Sequence, residues 1–281
     1  MYITNSIRRF LQLGSLALLF ALASTATSAQ VGLGMSPMRL ELRMNAGAQY
    51  SGALNLSNTA KAKLRIRAEL LDFFIDGNDT PQFGREWKQE AAYSCRKWLS
   101  INPMEIEAPE SSQVIARYTI RVPEGTPEGG YHCAAGFTTL PPAEQVSGTG
   151  LHMAVRVVTA FYVVVGTPAV QGALKEINLE PVPPDAKNPS PGWQAVVVLD
   201  NPTLVHYRPQ GQLALIDSTG KILETLDFAQ LPVLPKRSQR FLFQLKTNME
   251  DASYTLRARV DVGTGVLQEG TATVVVPKSV R

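Results

Sequence analysis

Hydrophobic and polar residues alternate with a period of two along most of the chain after residue 30. In the segment 39–44, the leucine and methionine side chains face one way, and the arginine and glutamate side chains face the other. The same alternation recurs at 63–70 and at 114–122. Successive side chains of a β-strand point to opposite faces of its sheet. Each segment therefore predicts an antiparallel strand with one buried face.

A second series of alternating segments follows Gly166-Thr167-Pro168, where glycine and proline interrupt the pattern. These segments are 193–199, 212–217, 221–226, 239–245, 254–262 and 270–276. Short strands separated by turn residues are typical of β-sandwiches. We expect one sandwich over 30–168 and another over 169–281, because each half is long enough to enclose its own core.

The amino terminus has the pattern of a cleavable signal peptide. Arg8 and Arg9 precede an apolar run from residue 11 to residue 23, and Thr27-Ser28-Ala29 supplies the small residues of a cleavage site. A transmembrane anchor is the alternative, but the run is shorter than the roughly 20 residues that span a bilayer. We therefore expect residues 1–29 to be removed during export to the periplasm, which would leave no stable membrane span.

Composition and motifs argue against several functions. Hydrophobic residues make up 44% of the chain and charged residues 18%, which is typical of globular proteins. The net charge of +3 is too small, and the lysine and arginine residues are too dispersed, for a nucleic-acid partner. Catalytic, phosphate-binding and metal-binding motifs are missing from the sequence. These observations predict a non-enzymatic protein with no catalytic residues, cofactor, metal or small-molecule substrate.

The two cysteines, Cys95 and Cys133, are too far apart in sequence for a Cys-x-x-Cys redox motif, and too few for a zinc site. In an oxidising compartment such a pair tends to form a disulfide. We therefore expect a structural bridge between them. Two separate buried thiols are the alternative.

Four short segments in the first half carry a resemblance to a known family. They are Ser36-Pro37-Met38-Arg39-Leu40-Glu41-Leu42, Leu54-Asn55-Leu56-Ser57-Asn58, Trp98-Leu99-Ser100-Ile101-Asn102-Pro103 and Ile120-Arg121-Val122-Pro123. With the apolar segment 151–165 after them, they resemble the amino-terminal domain of periplasmic pilus-assembly chaperones. The resemblance implies two immunoglobulin-like β-sandwich domains in tandem. It also implies a chaperone that binds pilus subunits by β-strand addition.

The resemblance further implies a cation that binds the subunit. In the family, an arginine on the first strand and a lysine on the last strand of the first domain bind the terminal carboxylate of a subunit. Arg39 matches the arginine by its Pro-x-Arg context, whereas the lysine would fall near Thr159 or Ala160, which are uncharged. Arg39 would then act alone or together with Arg156. The alternative for Arg39 is a solvated residue on the polar face of an edge strand.

The segment 151–165 is expected to be the exposed edge that pairs with a subunit. Leu151, Met153 and Val155 lie on one face of its alternating first part, and Arg156 is its only charge. In strand addition, alternate side chains fill the partner's groove, so these three residues are the expected inserts. The part from 157 to 165 is almost entirely apolar, which predicts burial on both faces. A long core strand is the alternative.

Two partners follow from the chaperone hypothesis: pilus or surface-fibre subunits, and an outer-membrane usher that receives them. The alternative function is an exported structural or adhesive protein whose sandwiches are spacers, because a fold alone does not determine function. A hydrolase with unrecognised residues is a third and weaker hypothesis.

The signal peptide gives the first testable prediction. Amino-terminal sequencing of the exported protein should begin at or within a few residues of Gln30, because the small residues before it suit signal peptidase. A protein that retains Met1 after export would contradict both the signal peptide and the periplasmic location.

Overall fold

A computed structural model of the chain describes residues 32–78, 80–85, 88–141, 154–183, 192–249 and 252–276. Most of these residues lie in β-strands, and two short 3₁₀ helices lie at Lys88–Tyr93 and Arg96–Trp98. No helix in these ranges is long and apolar enough to cross a membrane. The predicted signal peptide, 1–29, lies outside the described residues.

The first ten strands form two sheets between residues 33 and 165. They are β1 (Leu33–Ser36), β2 (Arg39–Met44), β3 (Gln49–Asn58), β4 (Leu64–Ile75), β5 (Pro81–Gly84), β6 (Leu99–Asn102), β7 (Glu105–Ala108), β8 (Ser112–Arg121), β9 (Gly129–Leu140) and β10 (Arg156–Val165). One sheet has the order β1-β3-β8-β6, and the other has the order β2-β10-β9-β4-β5, with β7 also paired to β4. Strands β2 and β10 are parallel. The other pairs are antiparallel.

The remaining seven strands form two further sheets. They are β11 (Ala173–Val182), β12 (Gly192–Asn201), β13 (Gln210–Ile216), β14 (Ile222–Asp227), β15 (Arg237–Gln244), β16 (Ser253–Asp261) and β17 (Leu267–Val275). Their orders are β11-β12-β15 and β14-β13-β16-β17. Both halves have the strand orders of an immunoglobulin-like sandwich, which confirms the predicted fold class. A division into domains at residue 168 stays a prediction.

Each pair of sheets encloses its own hydrophobic core, because one face of nearly every strand is apolar. Fully buried side chains of the first core include Leu54, Leu56, Ile66, Phe137 and Phe161. Those of the second core include Val197, Leu199, Leu256, Ala258 and Val260. Burying one large aliphatic or aromatic side chain contributes about 1.5–3 kcal/mol, so these alternating faces hold each sandwich together.

A buried asparagine ends β3 in the first sandwich and β12 in the second. Asn58 Nδ2 donates to the carbonyl oxygens of Ala62, Ala108 and Pro109 at 2.8–3.1 Å. In the second sandwich, Asn201 Nδ2 likewise donates to three carbonyl oxygens, those of Val205, Val233 and Leu234. Buried polar groups need such partners. Each asparagine therefore supplies hydrogen-bond donors to three main-chain carbonyl oxygens and connects the end of its strand to neighbouring segments.

Strand β10 differs from the expected exposed edge. Its described part begins at Arg156 rather than at residue 151, and from Ala160 to Val165 it lies between β2 and β9. The expectation of an edge along the whole of 151–165 is therefore wrong over residues 160–165. The predicted burial on both faces is confirmed for residues 161–165, which are all buried.

Strand β11 was not predicted from the sequence. Its residues are mostly half-buried or exposed, and its register with β12 shifts between Leu174 and Glu176. A shift of this kind inserts an extra residue and interrupts the alternation of faces. For this reason the apolar residues Leu174, Ile177 and Leu179, which pack against the second core, do not follow a period of two.

Cys95 and Cys133 form a disulfide that joins the loop before β6 to the middle of β9. Beside it, the buried carboxylate of Asp72 accepts hydrogen bonds from Ser94 Oγ at 2.5 Å and from Arg96 Nε at 3.1 Å. The bridge and the ion pair together fix a segment that contains only short 3₁₀ helices to the side of the sheet that faces the first core.

We expect the unfolded, non-reduced protein to contain no titratable thiol, because both cysteines are in the bridge. Replacing both cysteines with alanine should lower the free energy of unfolding by about 2–4 kcal/mol, since the unfolded chain loses a cross-link. Thiol titration in denaturant and chemical unfolding measure the two effects. Two free thiols per exported chain would show that the bridge does not form.

Candidate functional site

The candidate site lies on the outer face of the sheet β2-β10-β9-β4, which we define as the face turned away from the first core. Alternation along β10 sends Phe161, Val163 and Val165 into that core. Tyr162 and Ala160 point the other way, and pack in a separate apolar cluster that includes Leu71, Phe73 and Leu234. Because Leu234 belongs to the second sandwich, this cluster connects the two halves.

Four polar or aromatic residues continue this connection. We call them the inter-sandwich cluster: Glu41 and Tyr162 from the first sandwich, and His206 and Arg208 from the second. Glu41 Oε2 lies 2.9 Å from His206 Nε2, and Glu41 Oε1 accepts two hydrogen bonds from Arg208 at 3.0 Å. The Arg208 guanidinium lies 4.7 Å from the centroid of the Tyr162 ring, a distance typical of cation–π contacts.

The inter-sandwich cluster changes the acidity of Glu41. Burial raises the pKa of the carboxyl group, but the hydrogen bonds and charges of His206 and Arg208 outweigh this effect, and the pKa lies below its ordinary value. Since the Arg208 side chain is only 14% exposed, its charge is poorly screened by solvent. Glu41 is therefore ionised at neutral pH and holds the two sandwiches together.

The backbones of the two sandwiches also meet. The Gly130 amide donates to the Leu204 carbonyl oxygen at 2.5 Å, and Gln239 Nε2 donates to the Asp76 carbonyl oxygen at 3.2 Å. A Cβ atom added at Gly130 would lie only 3.0 Å from Val205 Cα. A larger residue at position 130 would therefore force the backbones of the two sandwiches apart at this point.

Beside this junction, residues 156–159 of β10 have β9 on one side only. We call them the open segment. Both main-chain groups of Val155 bond to Thr139 of β9, and the Ala160 amide bonds in the opposite direction to Met38. Main-chain groups alternate in direction along a strand, so those of Arg156 and Val158 point away from β9. Among the described residues, no strand pairs with them on that side.

Arg39 lies at the end of this open segment. It is the register partner of Ala160, its side chain is 47% exposed, and its closest acid is Glu41 at 3.8 Å. The preceding residue, Met38, is also exposed. Where the family has a lysine, Thr159 is buried and its hydroxyl donates to the Pro37 carbonyl oxygen. Arg39 is thus a solvent-accessible cation whose neighbours on β10 are uncharged.

The other predicted binding residues have different placements. Arg156 is exposed at the start of β10, where it donates to Thr138 Oγ1 and lies 3.8 Å from Glu69. It stands four residues from Ala160, or about 13 Å along the strand, so the structure does not bring Arg156 and Arg39 together. Val155 packs against the first core. Leu151 and Met153 lie outside the described residues.

Sequence reasoning missed the inter-sandwich cluster. Glu41 and His206 are 165 positions apart, and each has an unremarkable local pattern. The one usable signal was the run of apolar residues from 160 to 165, which predicts that the outer face of β10 is covered. Within the described part of the chain, no three His, Cys, Asp or Glu side chains gather closely enough to hold a metal ion.

No protein-family model matches the sequence, and no curated protein matches it significantly. Solved structures with a similar fold include the class 5 fimbriae chaperone CfaA, with 12% identity, a TM-score of 0.46, and coverage of 87% of this chain and 100% of that chain. The CupB2 chaperone of Pseudomonas aeruginosa has 13% identity, a TM-score of 0.41, and coverage of 86% and 100%. The chaperone DraB of E. coli has 14% identity, a TM-score of 0.41, and coverage of 89% and 97%.

The inter-sandwich cluster predicts a pH-dependent effect of Glu41→Gln. At pH 7 the variant should lose about 1 kcal/mol of stability, because its partners keep their positions but lose a charged acceptor that is partly exposed. Folding lowers the pKa of Glu41. The contribution of its carboxylate to the free energy of unfolding is therefore complete above the unfolded-state pKa, and it disappears as the pH falls through the folded-state pKa. The difference between variant and wild type should therefore vanish in acid.

Chemical unfolding at several pH values measures this difference. Glu110→Gln is the matched control, because Glu110 is exposed and has no ion pair among the described residues. An equal effect of both substitutions at pH 7, or a Glu41→Gln effect that persists in acid, would contradict the role assigned to the cluster.

Proposed function

We propose that this protein is a periplasmic chaperone that binds pilus or surface-fibre subunits by strand addition and carries them to an outer-membrane usher. The observation that carries the proposal is the open segment of β10. It offers main-chain donors and acceptors at the rim of an otherwise paired sheet. An extended segment of a partner can add to such a rim, because main-chain hydrogen bonds supply the affinity.

The surroundings of the open segment support a polypeptide partner. Unpaired strand rims promote aggregation, and proteins usually protect them with charge, proline or a covering element. In the open segment, Arg156 supplies one charge, and the next three residues, Val157-Val158-Thr159, are uncharged. The rim is therefore suited to pairing with a specific partner rather than to permanent exposure.

Arg39 gives this rim an anchor at one end. An exposed guanidinium can form two parallel hydrogen bonds with a carboxylate, and Arg39 is engaged only by Glu41 at 3.8 Å among the described residues. Glu41 is itself bound by Arg208 and His206, so the charge of Arg39 is not neutralised by a partner of its own. We propose that Arg39 alone binds the subunit carboxylate, without the lysine of the family and without Arg156.

Substitutions at two adjacent valines test the strand-addition proposal. Val158→Pro removes an amide that faces away from β9, so we expect the variant to fold but to lose its subunit. Val158→Thr keeps the amide and should retain the subunit. Val157→Pro removes an amide that faces β9, and should destabilise the fold measurably, because a proline inside a sheet removes a ladder hydrogen bond.

The measurement is recovery of the tagged mature protein from the periplasm, with identification of the proteins that accompany it and a thermal unfolding curve for each variant. The expected companion is an exported β-sandwich subunit, present with wild type and Val158→Thr. A folded Val158→Pro variant that still recovers this subunit would rule out pairing through the open segment. If the wild-type protein is recovered alone, the structural or adhesive function replaces the chaperone function.

A further inference from the structure

A cavity of about 420 Å³ lies on the second sandwich, away from β10 and the junction between the sandwiches. It opens on the face of the sheet β14-β13-β16-β17 that is turned away from the second core. Its lining includes Ala214, Thr225, Arg257, Ile222 and Leu267. This volume is within the usual range for sites that bind small ligands or side chains.

Small side chains and their register create the cavity. Ala214 on β13 is the register partner of Thr225 on β14 and of Arg257 on β16, so these three residues form one row across the sheet. Ala214 is nearly buried and has only a methyl group. The row therefore has a depression at Ala214, with a hydroxyl group on one side and a guanidinium on the other.

The neighbouring row has a hydrogen bond and an ion pair of its own. Gln212 Nε2 donates to Asp227 Oδ1 at 2.9 Å, and Arg259 Nε pairs with Glu269 Oε2 at 3.0 Å. These four residues are register partners across β14, β13, β16 and β17. Both acids near the cavity are therefore engaged with partners of their own.

Arg257 is in a different situation. Its Nε atom is buried, and among the described residues this atom has no hydrogen-bond acceptor and the guanidinium has no ion pair. A buried polar group without a partner costs free energy, and each such group in a folded protein calls for an explanation. An acceptor supplied by a ligand would remove this cost.

We infer that the cavity binds one carboxylate group, carried by an acidic side chain of a polypeptide with aliphatic neighbours. A single unpaired guanidinium matches a single negative charge. Asp227 and Glu269 would repel a more highly charged group such as a phosphate dianion. The aliphatic side chains of Ile222 and Leu267 line the same cavity and are 49% and 55% exposed. Aliphatic residues beside the acid would cover them.

This site is separate from the open segment of β10, and it does not depend on the chaperone proposal. Its charge and its position on the second sandwich give the protein a second place to contact a polypeptide. The two contacts can be tested independently, because substitutions at Arg257 leave β2, β9 and β10 unchanged.

Nuclear magnetic resonance on the whole mature protein tests the inference, because a buried arginine Nε–H exchanges slowly and can be observed directly. The probes are acetyl-Leu-Glu-Leu-amide, its glutamine counterpart acetyl-Leu-Gln-Leu-amide, and sodium acetate. We expect the glutamate peptide to shift the Arg257 Nε–H signal in a saturable way. The glutamine peptide should leave this signal unchanged, and acetate should bind more weakly than the glutamate peptide.

Variants of Arg257 provide the second measurement. Arg257→Gln should weaken binding of the glutamate peptide by about tenfold or more, the usual consequence of losing hydrogen bonds to a charged group. Arg257→Lys keeps the charge but loses the planar fork, and should weaken binding less. Arg121→Gln is the control, because Arg121 is an exposed arginine of the first sandwich that bonds to Gln49.

Three results would overturn the inference. A glutamate peptide that fails to shift the Arg257 signal would exclude the site, and this result does not depend on any variant being folded. Equal binding of the glutamate and glutamine peptides would exclude recognition of a carboxylate. Acetate that binds as tightly as the glutamate peptide would exclude a polypeptide as the specific ligand.

Discussion

Burial of β10 from both sides is the constraint on which the rest of the structure depends. One face of this strand supplies Phe161, Val163 and Val165 to the first core, and the other face supplies Tyr162 to the contact with the second sandwich. Because alternate residues of one strand belong to two packing interfaces, the position of the second sandwich is linked to the packing of the first.

The same constraint explains why the polar contacts at the junction lie where they do. Parallel pairing sets Glu41 beside Tyr162, at the point where His206 and Arg208 approach from the second sandwich. Toward the start of β10 the coverage by β2 ends, and no other strand in the described ranges takes its place. One strand therefore provides both a closed junction and an open rim. The proposed function uses the difference between its two ends.

Much of the fold could be predicted from the sequence, because polar and apolar residues alternate along most strands. This alternation is visible in consecutive residues of the sequence. Strands β2, β4 and β8 show it clearly, whereas β11 does not, because a register shift interrupts its alternation. The candidate site was harder to predict. Arg39 could be chosen from its Pro-x-Arg context, but its distance from Arg156 depends on strand register. The partners of Glu41 depend on how two separate sandwiches pack, which no local pattern contains.

The placement of β1 and β2 in different sheets has a consequence for the order of events during synthesis. β1 pairs with β3 nearby in sequence, but β2 completes its sheet only with β10, and Pro37 and Thr159 meet although they are 122 positions apart. A chain that emerges amino terminus first, from a ribosome or a translocation channel, therefore produces β2 long before its partner. Residues 39–44 therefore remain without their partner strand β10 while most of the first sandwich is synthesised. A long-range pairing of this kind makes closure of the sheet a late and slow step.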